Sequence, residues 1–304
     1  MNKKAFVFSG QGSQSVGMGR DLYANNECAR LVIDEISDII KTNIAKLYIE
    51  GTQEELNKNA PICIFALDLA AYFALKNEGI APDYVAGFSL GEYAALVASG
   101  ALSLGQGTQI VLKRANIMAK YATGGMTAVI GVDAKAVEDA CSQVNEGYVI
   151  CVNYNCPGQT VVSGDSAGLE MLENNLKEKK IRFTRLNVAG GFHSALMDEA
   201  AKELNGELAK IDFKKPTVPV VLNINGDVYN QNDDLVQIMT NQCNHPVYWQ
   251  RSVEKLISLG ADAFVECGHG KVLSGFLKRI DKSVSNLMVS DIDSLNKTVN
   301  YFNS

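Results

Sequence analysis

Seven cysteines are scattered through the 304 residues with no C-x-x-C pair among them. An odd count without framework spacing excludes a disulfide scaffold and a zinc site, and it fits a reducing compartment. Basic charge is short as well: 28 Lys and Arg against 34 Asp and Glu leave a net charge of −6. A nucleic-acid binder, which needs clustered cations, is not expected. Long apolar runs are also lacking. The first one, after Lys3-Lys4, stops at Ser9-Gly10, too short for the core of a signal peptide, and the run 61–75 is broken by Asp68, short of a membrane span. The expectation is a cytoplasmic protein with no membrane partner, in which 61–75 is a buried helix. Internal repeats and low-complexity tracts are absent.

What is present is globular. With 47% hydrophobic and 20% charged residues, the chain can bury a large core as one big domain or two unequal ones. Residues 4–8 read as a first strand, followed by the turn Ser9-Gly10-Gln11-Gly12-Ser13-Gln14. Helical patterns then run to Ala81, where Ala81-Pro82-Asp83 interrupts before a strand at 84–86, and a helix from about 104 to 121 stops at Thr123-Gly124-Gly125. The next segment predicts strand 126–132, helix 134–145, strands 148–153 and 160–163 around a Pro157-Gly158 turn, helix 167–180 and strand 182–187. That β-α-β-β-α-β order is the split unit of a ferredoxin-like domain. Beyond Gly190-Gly191, helices alternate with apolar runs at 218–224 and 263–267, so the parallel sheet begun at the N-terminus is expected to continue there.

Chemistry concentrates at Gly87-Phe88-Ser89-Leu90-Gly91, a serine between two glycines where a strand meets a helix. Strand–turn–helix around G-x-S-x-G is the context of a nucleophile elbow: the glycines permit a tight turn, and the new helix start favours developing negative charge. The plainer alternative is a helix start with Ser89 as N-cap. A serine nucleophile needs a base, and only His193, His245 and His269 are available. His193 follows Gly190-Gly191 and opens a helical stretch, where loops meet a cleft, His245 precedes Pro246, and His269 sits between two glycines; the residues alone favour His193, then His269, then His245. The turn Gly10-Gln11-Gly12 could lend an amide to the elbow. It is no dinucleotide loop, since Ser15 stands where G-x-G-x-x-G requires glycine, and it has no P-loop ending. Arg114 sits in an otherwise apolar helical pattern, where the plain reading is an exposed helical arginine or one snorkelling from a core edge.

Gly10-Gln11-Gly12-Ser13-Gln14, Gly87-Phe88-Ser89-Leu90-Gly91-Glu92, Arg114, Asn155-Cys156-Pro157-Gly158-Gln159, Phe192-His193-Ser194 and Gly270-Lys271-Val272-Leu273 occur in that order. Together, over essentially the whole chain, they resemble the malonyl-CoA:acyl carrier protein transacylases, the acyltransferases of fatty-acid and polyketide synthesis. The resemblance implies an α/β fold, with an α/β-hydrolase-like large subdomain built on a parallel sheet (1–124 and 189–304) and an inserted ferredoxin-like small subdomain (125–188). It implies Ser89 as nucleophile, His193 as base, and the backbone N–H groups of Gln11 and Leu90 as oxyanion hole. A glutamine carbonyl, at Gln242, takes the place of a triad acid. Arg114 is implied as the ligand of the malonyl carboxylate, and Phe192 as a ring that crowds the α-carbon, with a core phenylalanine as its plainer reading. The implied substrates are malonyl-CoA and acyl carrier protein, and no cofactor is implied beyond the CoA thioester.

The sequence departs from the family in having Phe88 where most relatives carry histidine, Ser9 for a common proline, and His269 at a frequent proline position. Because carrier proteins are typically acidic and this chain is acidic too, docking requires a local basic patch. Lys177 to Arg185, with Lys179, Lys180 and Arg182, is the best candidate, against the reading of a solvated helix end. Two enzyme alternatives stand beside malonyl transfer into fatty-acid synthesis. One is a free-standing acyltransferase of a polyketide synthase. The other is a serine thioesterase or hydrolase, for which the intervening Asp133 and Asp165 are awkwardly placed in the small subdomain. A carrier-binding scaffold with a decayed site is opposed by the retained serine, histidine and arginine.

Overall fold

The computed structural model describes residues 3–12 and 14–304; Ser13, part of the first glycine-rich turn, and Met1-Asn2 lie outside the described residues. Among the described residues, nine strands form two sheets. β1 (Lys3–Phe8), β2 (Tyr84–Gly87), β7 (Val220–Val221), β8 (Ala261–Cys267) and β9 (Ser285–Val289) make a parallel sheet in the order β7-β2-β1-β8-β9. β3 (Gly125–Ile130), β4 (Val149–Cys156), β5 (Gln159–Gly164) and β6 (Arg182–Arg185) make an antiparallel sheet in the order β4-β5-β3-β6. The molecule is an α/β-hydrolase-like parallel layer joined to a ferredoxin-like one.

Side-chain alternation along β1 explains why both faces of the parallel sheet are covered. Phe6 and Phe8 point into the larger core, whereas Ala5 and Val7 point into a second cluster with Trp249, Phe264 and Leu277. The larger core is centred on helix Ala60–Asn77. That helix is long and apolar enough to cross a membrane, but it is mostly buried inside the protein. Its apolar residues run all round the axis, as in a core helix.

The antiparallel sheet divides in the same way. Val129, Cys151 and Val162 face helices Ala134–Ser142 and Ser166–Glu178, while Met126, Ala128, Val152 and Val161 face Leu186 and Phe192. This second face grips the segment leading to His193. Gly191 N donates to Thr123 O (2.7 Å) and Ser163 Oγ to Ser194 Oγ (3.0 Å). The free edge of β4 pairs with the chain at Val247, through Val247 N to Val152 O (2.7 Å) and Tyr154 N to Val247 O (3.0 Å).

The expected apolar run 218–224 forms only the two-residue β7. From Leu222 the chain turns back on itself, with Leu222 N bonded to Asp227 O and Gly226 N to Leu222 O. β9 has no counterpart among the sequence expectations. It is an edge strand with a single fully buried residue, Val289, and so carries little periodicity.

Candidate active site

The elbow forms because two glycines let three backbone segments meet. A Cβ on Gly87 would lie 2.0 Å from the Gly91 backbone, and one on Gly91 would lie 2.2 Å from Phe8 O. Helix Gly91–Ala98 can therefore leave β2 directly over the end of β1. Ser89 between them has φ 51°, a left-handed conformation that an L side chain adopts only under constraint. Its hydroxyl caps no helix: Oγ donates to His193 Nε2 at 2.8 Å. Phe88, the next side chain back, turns away from the cleft and packs against Trp249 (ring centroids 5.6 Å) and Phe276 (6.1 Å).

His193 is buried, with φ 61°, in the loop before the short turn Ala195–Met197. Its Nδ1 donates to the main-chain carbonyl of Gln242 at 2.9 Å. That carbonyl is available because helix Leu235–Asn244 ends there, ahead of His245-Pro246, leaving the acceptors of its last turn without helical partners. A carbonyl can only accept, so Nδ1 carries the proton and Nε2 presents a lone pair to Ser89. Burial, followed by the charge of Arg114, lowers the His193 pKa to about 4. The ring is thus neutral at physiological pH, as a general base must be. His245 bonds Asn241 O and Asn244 Oδ1, and His269 bonds Ser15 Oγ; neither reaches Ser89.

Arg114 comes from helix Leu104–Lys120, which starts with a Ser103–Gln106 capping box. Gly107, Ile110, Val111, Arg114, Ile117 and Met118 form its buried stripe, so helical spacing aims the guanidinium inward. Arg114 is 2% exposed; Nη2 lies 3.3 Å from Ser89 Oγ and 3.5 Å from Gln242 Oε1, and the guanidinium stands over the Tyr93 ring. The Gln242 side chain also donates from Nε2 to Ser89 O at 2.6 Å.

Leu90 is buried at the start of helix Gly91–Ala98. Gln11 is exposed in the turn after β1, whose neighbour Gly10 packs on Phe88 O; a Cβ on Gly10 would sit 2.7 Å from that oxygen. Phe192 is half-buried against both cores beside His193. Asp133 and Asp165 cap helices Ala134–Ser142 and Ser166–Glu178 through Ala136 N and Gly168 N, which leaves neither on His193.

Two residues around Ser89 went unassigned in the sequence. Asn223 lies in the turn after β7, and its Oδ1 accepts from Ser89 N at 2.7 Å. Glu92 is fully buried; its Oε1 accepts from Asn223 N at 2.9 Å, and burial pushes its pKa up to about 7. Glu92 had a signal, since it is the one charge in the otherwise apolar helix Gly91–Ala98. Asn223 follows an apolar strand as loop asparagines commonly do and carried none.

The family model for the acyl transferase domain matches residues 5–295. The chain belongs to the acyl transferase domain family. This acyltransferase is 39% identical over 303 residues to the malonyl CoA-acyl carrier protein transacylase of Bacillus subtilis, a match covering 97% of this chain and 96% of that one. The crystal structure of the malonyl CoA-acyl carrier protein transacylase from Clostridium perfringens superposes with a TM-score of 0.95 at 35% identity, covering 99% and 97% of the two chains. A malonyl-transacylase solved in complex with its type II polyketide synthase acyl carrier protein matches this acyltransferase with a TM-score of 0.95 at 33% identity, over 98% of this chain and 99% of that one.

Proposed function

We propose that this acyltransferase moves a malonyl group from malonyl-CoA to the pantetheine thiol of acyl carrier protein through a malonyl-Ser89 intermediate, supplying fatty-acid synthesis. The observation that carries the reading is the 2.8 Å bond between Ser89 Oγ and His193 Nε2, with Arg114 3.3 Å from the same oxygen.

Ser89 Oγ attacks the thioester carbonyl carbon while its proton passes to His193 Nε2. The resulting oxyanion is held by the N–H groups of Gln11 and Leu90. Such donors are each worth about a hundredfold or more in rate. Collapse breaks the carbon–sulfur bond, and His193 returns the proton to the departing CoA sulfur. The pantetheine thiol then enters, gives its proton to His193 and attacks the acyl-serine, releasing Ser89. The Gln242 carbonyl keeps the imidazole in the Nδ1–H form throughout, a weaker support for imidazolium than a carboxylate, yet sufficient for a reactive thioester. Arg114 pairs with the distal carboxylate, and Phe192 limits room at the α-carbon.

No cofactor enters beyond the CoA thioester. Residues 1–124 and 189–304 form the catalytic unit and 125–188 the inserted one, which the confinement of the antiparallel sheet to 125–185 supports. A cytoplasmic setting is supported by seven unpaired cysteines. The carrier docks on the basic stretch Lys179, Lys180 and Arg182, where Lys180 and Arg182 line an open cleft of about 480 Å³ with Ile130 and Phe183.

Mixing the protein with malonyl-CoA and then with carrier protein tests the reading. A stoichiometric burst of CoA, followed by malonyl-carrier formation, supports it; continuous release of free malonate makes the protein a hydrolase. A polyketide carrier as the acceptor is the second reading, favoured by the match to the polyketide carrier complex. Relative kcat/KM for the two kinds of carrier decides between them.

A further inference from the structure

The Ser89 amide is not left to the cleft. It donates to Asn223 Oδ1 at 2.7 Å, while Nδ2 of the same side chain donates to Gly87 O at 2.5 Å. One primary amide therefore clasps both sides of Phe88, across the turn that forces Ser89 to φ 51°. Asn223 is fixed in turn. Its N–H donates to Glu92 Oε1 (2.9 Å) and its carbonyl accepts from Tyr248 N (2.9 Å). Asn223 is 1% exposed and Glu92 is fully buried, so water does not replace these bonds. A serine holds a left-handed backbone only where its surroundings over-determine it, and the direction of Oγ follows from that backbone.

We propose that Asn223, held by Glu92, is the positioning residue of the elbow: by bonding Ser89 N and Gly87 O together it keeps Oγ on His193 Nε2, and acylation depends on both ends of the clasp. This rests on the malonyl-Ser89 reading above. It uses no group assigned to the base, the oxyanion hole or the carboxylate ligand. Asparagine suits the task because a single planar group supplies one acceptor and one donor, and Ser89 N and Gly87 O need one of each.

Asn223→Asp separates this role from simple core packing. The carboxylate form can accept from Ser89 N but opposes Gly87 O, whereas the protonated acid restores a donor. The charged or titratable side chains around the position are Glu92, bonded to Asn223 N, and Arg114 and His193 on the Ser89 hydroxyl. Glu92 as a neighbouring carboxyl and the burial of the site both favour the protonated acid, so its recovery falls within the working range.

Single-turnover acylation by malonyl-CoA is measured across pH for wild type, Asn223→Ala and Asn223→Asp, with thermal unfolding as the check on folding. Asn223→Ala is expected to acylate about 30- to 300-fold more slowly with KM for malonyl-CoA within about threefold of wild type. Asn223→Asp is expected to be similarly slow at about pH 8 and to regain about tenfold relative to wild type by about pH 6. If the alanine variant fails to fold, the pH trend of the isosteric aspartate variant decides. Either variant within about threefold of wild type throughout, or an aspartate deficit that is the same at every pH, overturns the proposal. A wild-type protein that forms no adduct at all overturns the malonyl reading itself. A normal wild-type adduct with unaffected variants overturns only the role of Asn223.

Discussion

Arg114 Nη2 stands 3.3 Å from Ser89 Oγ, and its Nε has no hydrogen-bond partner among the described residues. No carboxylate among those residues forms an ion pair with this guanidinium, while its Nη2 reaches Gln242 Oε1 at 3.5 Å. On the malonyl-transfer reading, this buried cation with spare donors beside the nucleophile receives the carboxylate of the acyl group.

Arg114→Ala therefore loses malonyl transfer far more than acetyl transfer. Truncating one partner of a buried charge pair removes about 2–5 kcal/mol, so kcat/KM for malonyl-CoA is expected to fall by about 30- to several-thousandfold. Acetyl-CoA, which offers no carboxylate, is expected to change by less than about tenfold. Steady-state comparison of the two thioesters reads this directly, and equal losses dispose of the clamp.

Gln242 splits into two functions that mutation can separate. The bond to His193 comes from the main chain, so Gln242→Ala keeps it while losing the side-chain bonds to Ser89 O and Arg114. At about 0.5–1.5 kcal/mol for each hydrogen bond, acylation is expected to slow by roughly tenfold. Removing the base with His193→Ala is expected to slow it by about 100- to 10,000-fold. Stopped-flow acylation gives both values; a Gln242→Ala loss as large as that of His193→Ala contradicts the main-chain assignment.

Glu92 and His193 act oppositely on stability against pH. The His193 pKa is lowered to about 4, so below the unfolded-state value the unfolded chain binds the extra proton and stability falls as pH drops through that window. The Glu92 pKa is raised to about 7 from 4.5, so the folded state holds the extra proton and stability falls as pH rises through that interval. Glu92→Gln removes the second effect. Its Tm relative to wild type is expected to climb with pH across the interval, by the equivalent of about 3 kcal/mol in total. Calorimetry at several pH values measures the slope; a flat difference means that Glu92 is ionised without penalty in the fold.

Charge reversal at Lys179 and Lys180 tests the docking surface. Both are exposed at the end of helix Ser166–Glu178, and among the described residues Lys179 Nζ bonds only Gln143 Oε1, at 3.0 Å, so the fold tolerates the change. KM for the carrier is expected to rise about tenfold at low salt and less at high salt, with the malonyl-CoA half-reaction unchanged. An unaltered KM removes this surface from the docking account.

Local pattern made much of this legible. The split β-α-β-β-α-β unit and the elbow are written in short-range signals, and the capped helix Leu104–Lys120 shows Arg114 on its apolar stripe. Convergence was harder to read. As sequence, His193 is favoured over His269 and His245 as the base, but its meeting with Ser89 depends on long-range packing of its loop, with Phe192 on the antiparallel sheet and Nδ1 on Gln242 O. Asn223 joins the elbow from 134 positions away, through contacts that no periodicity records. β7 and β9 were obscured because a two-residue strand and a half-exposed edge strand carry almost no pattern.

A malonyl-Ser89 intermediate is tested most directly by finding where the acyl group goes. Quenching the protein after mixing with malonyl-CoA in the absence of carrier, followed by digestion and tandem mass spectrometry, locates it. Malonyl on Ser89 is the expected result, absent from a folded Ser89→Ala protein and discharged when carrier protein is added. A malonyl group on any other residue, or free malonate with Ser89 never labelled, would contradict the account.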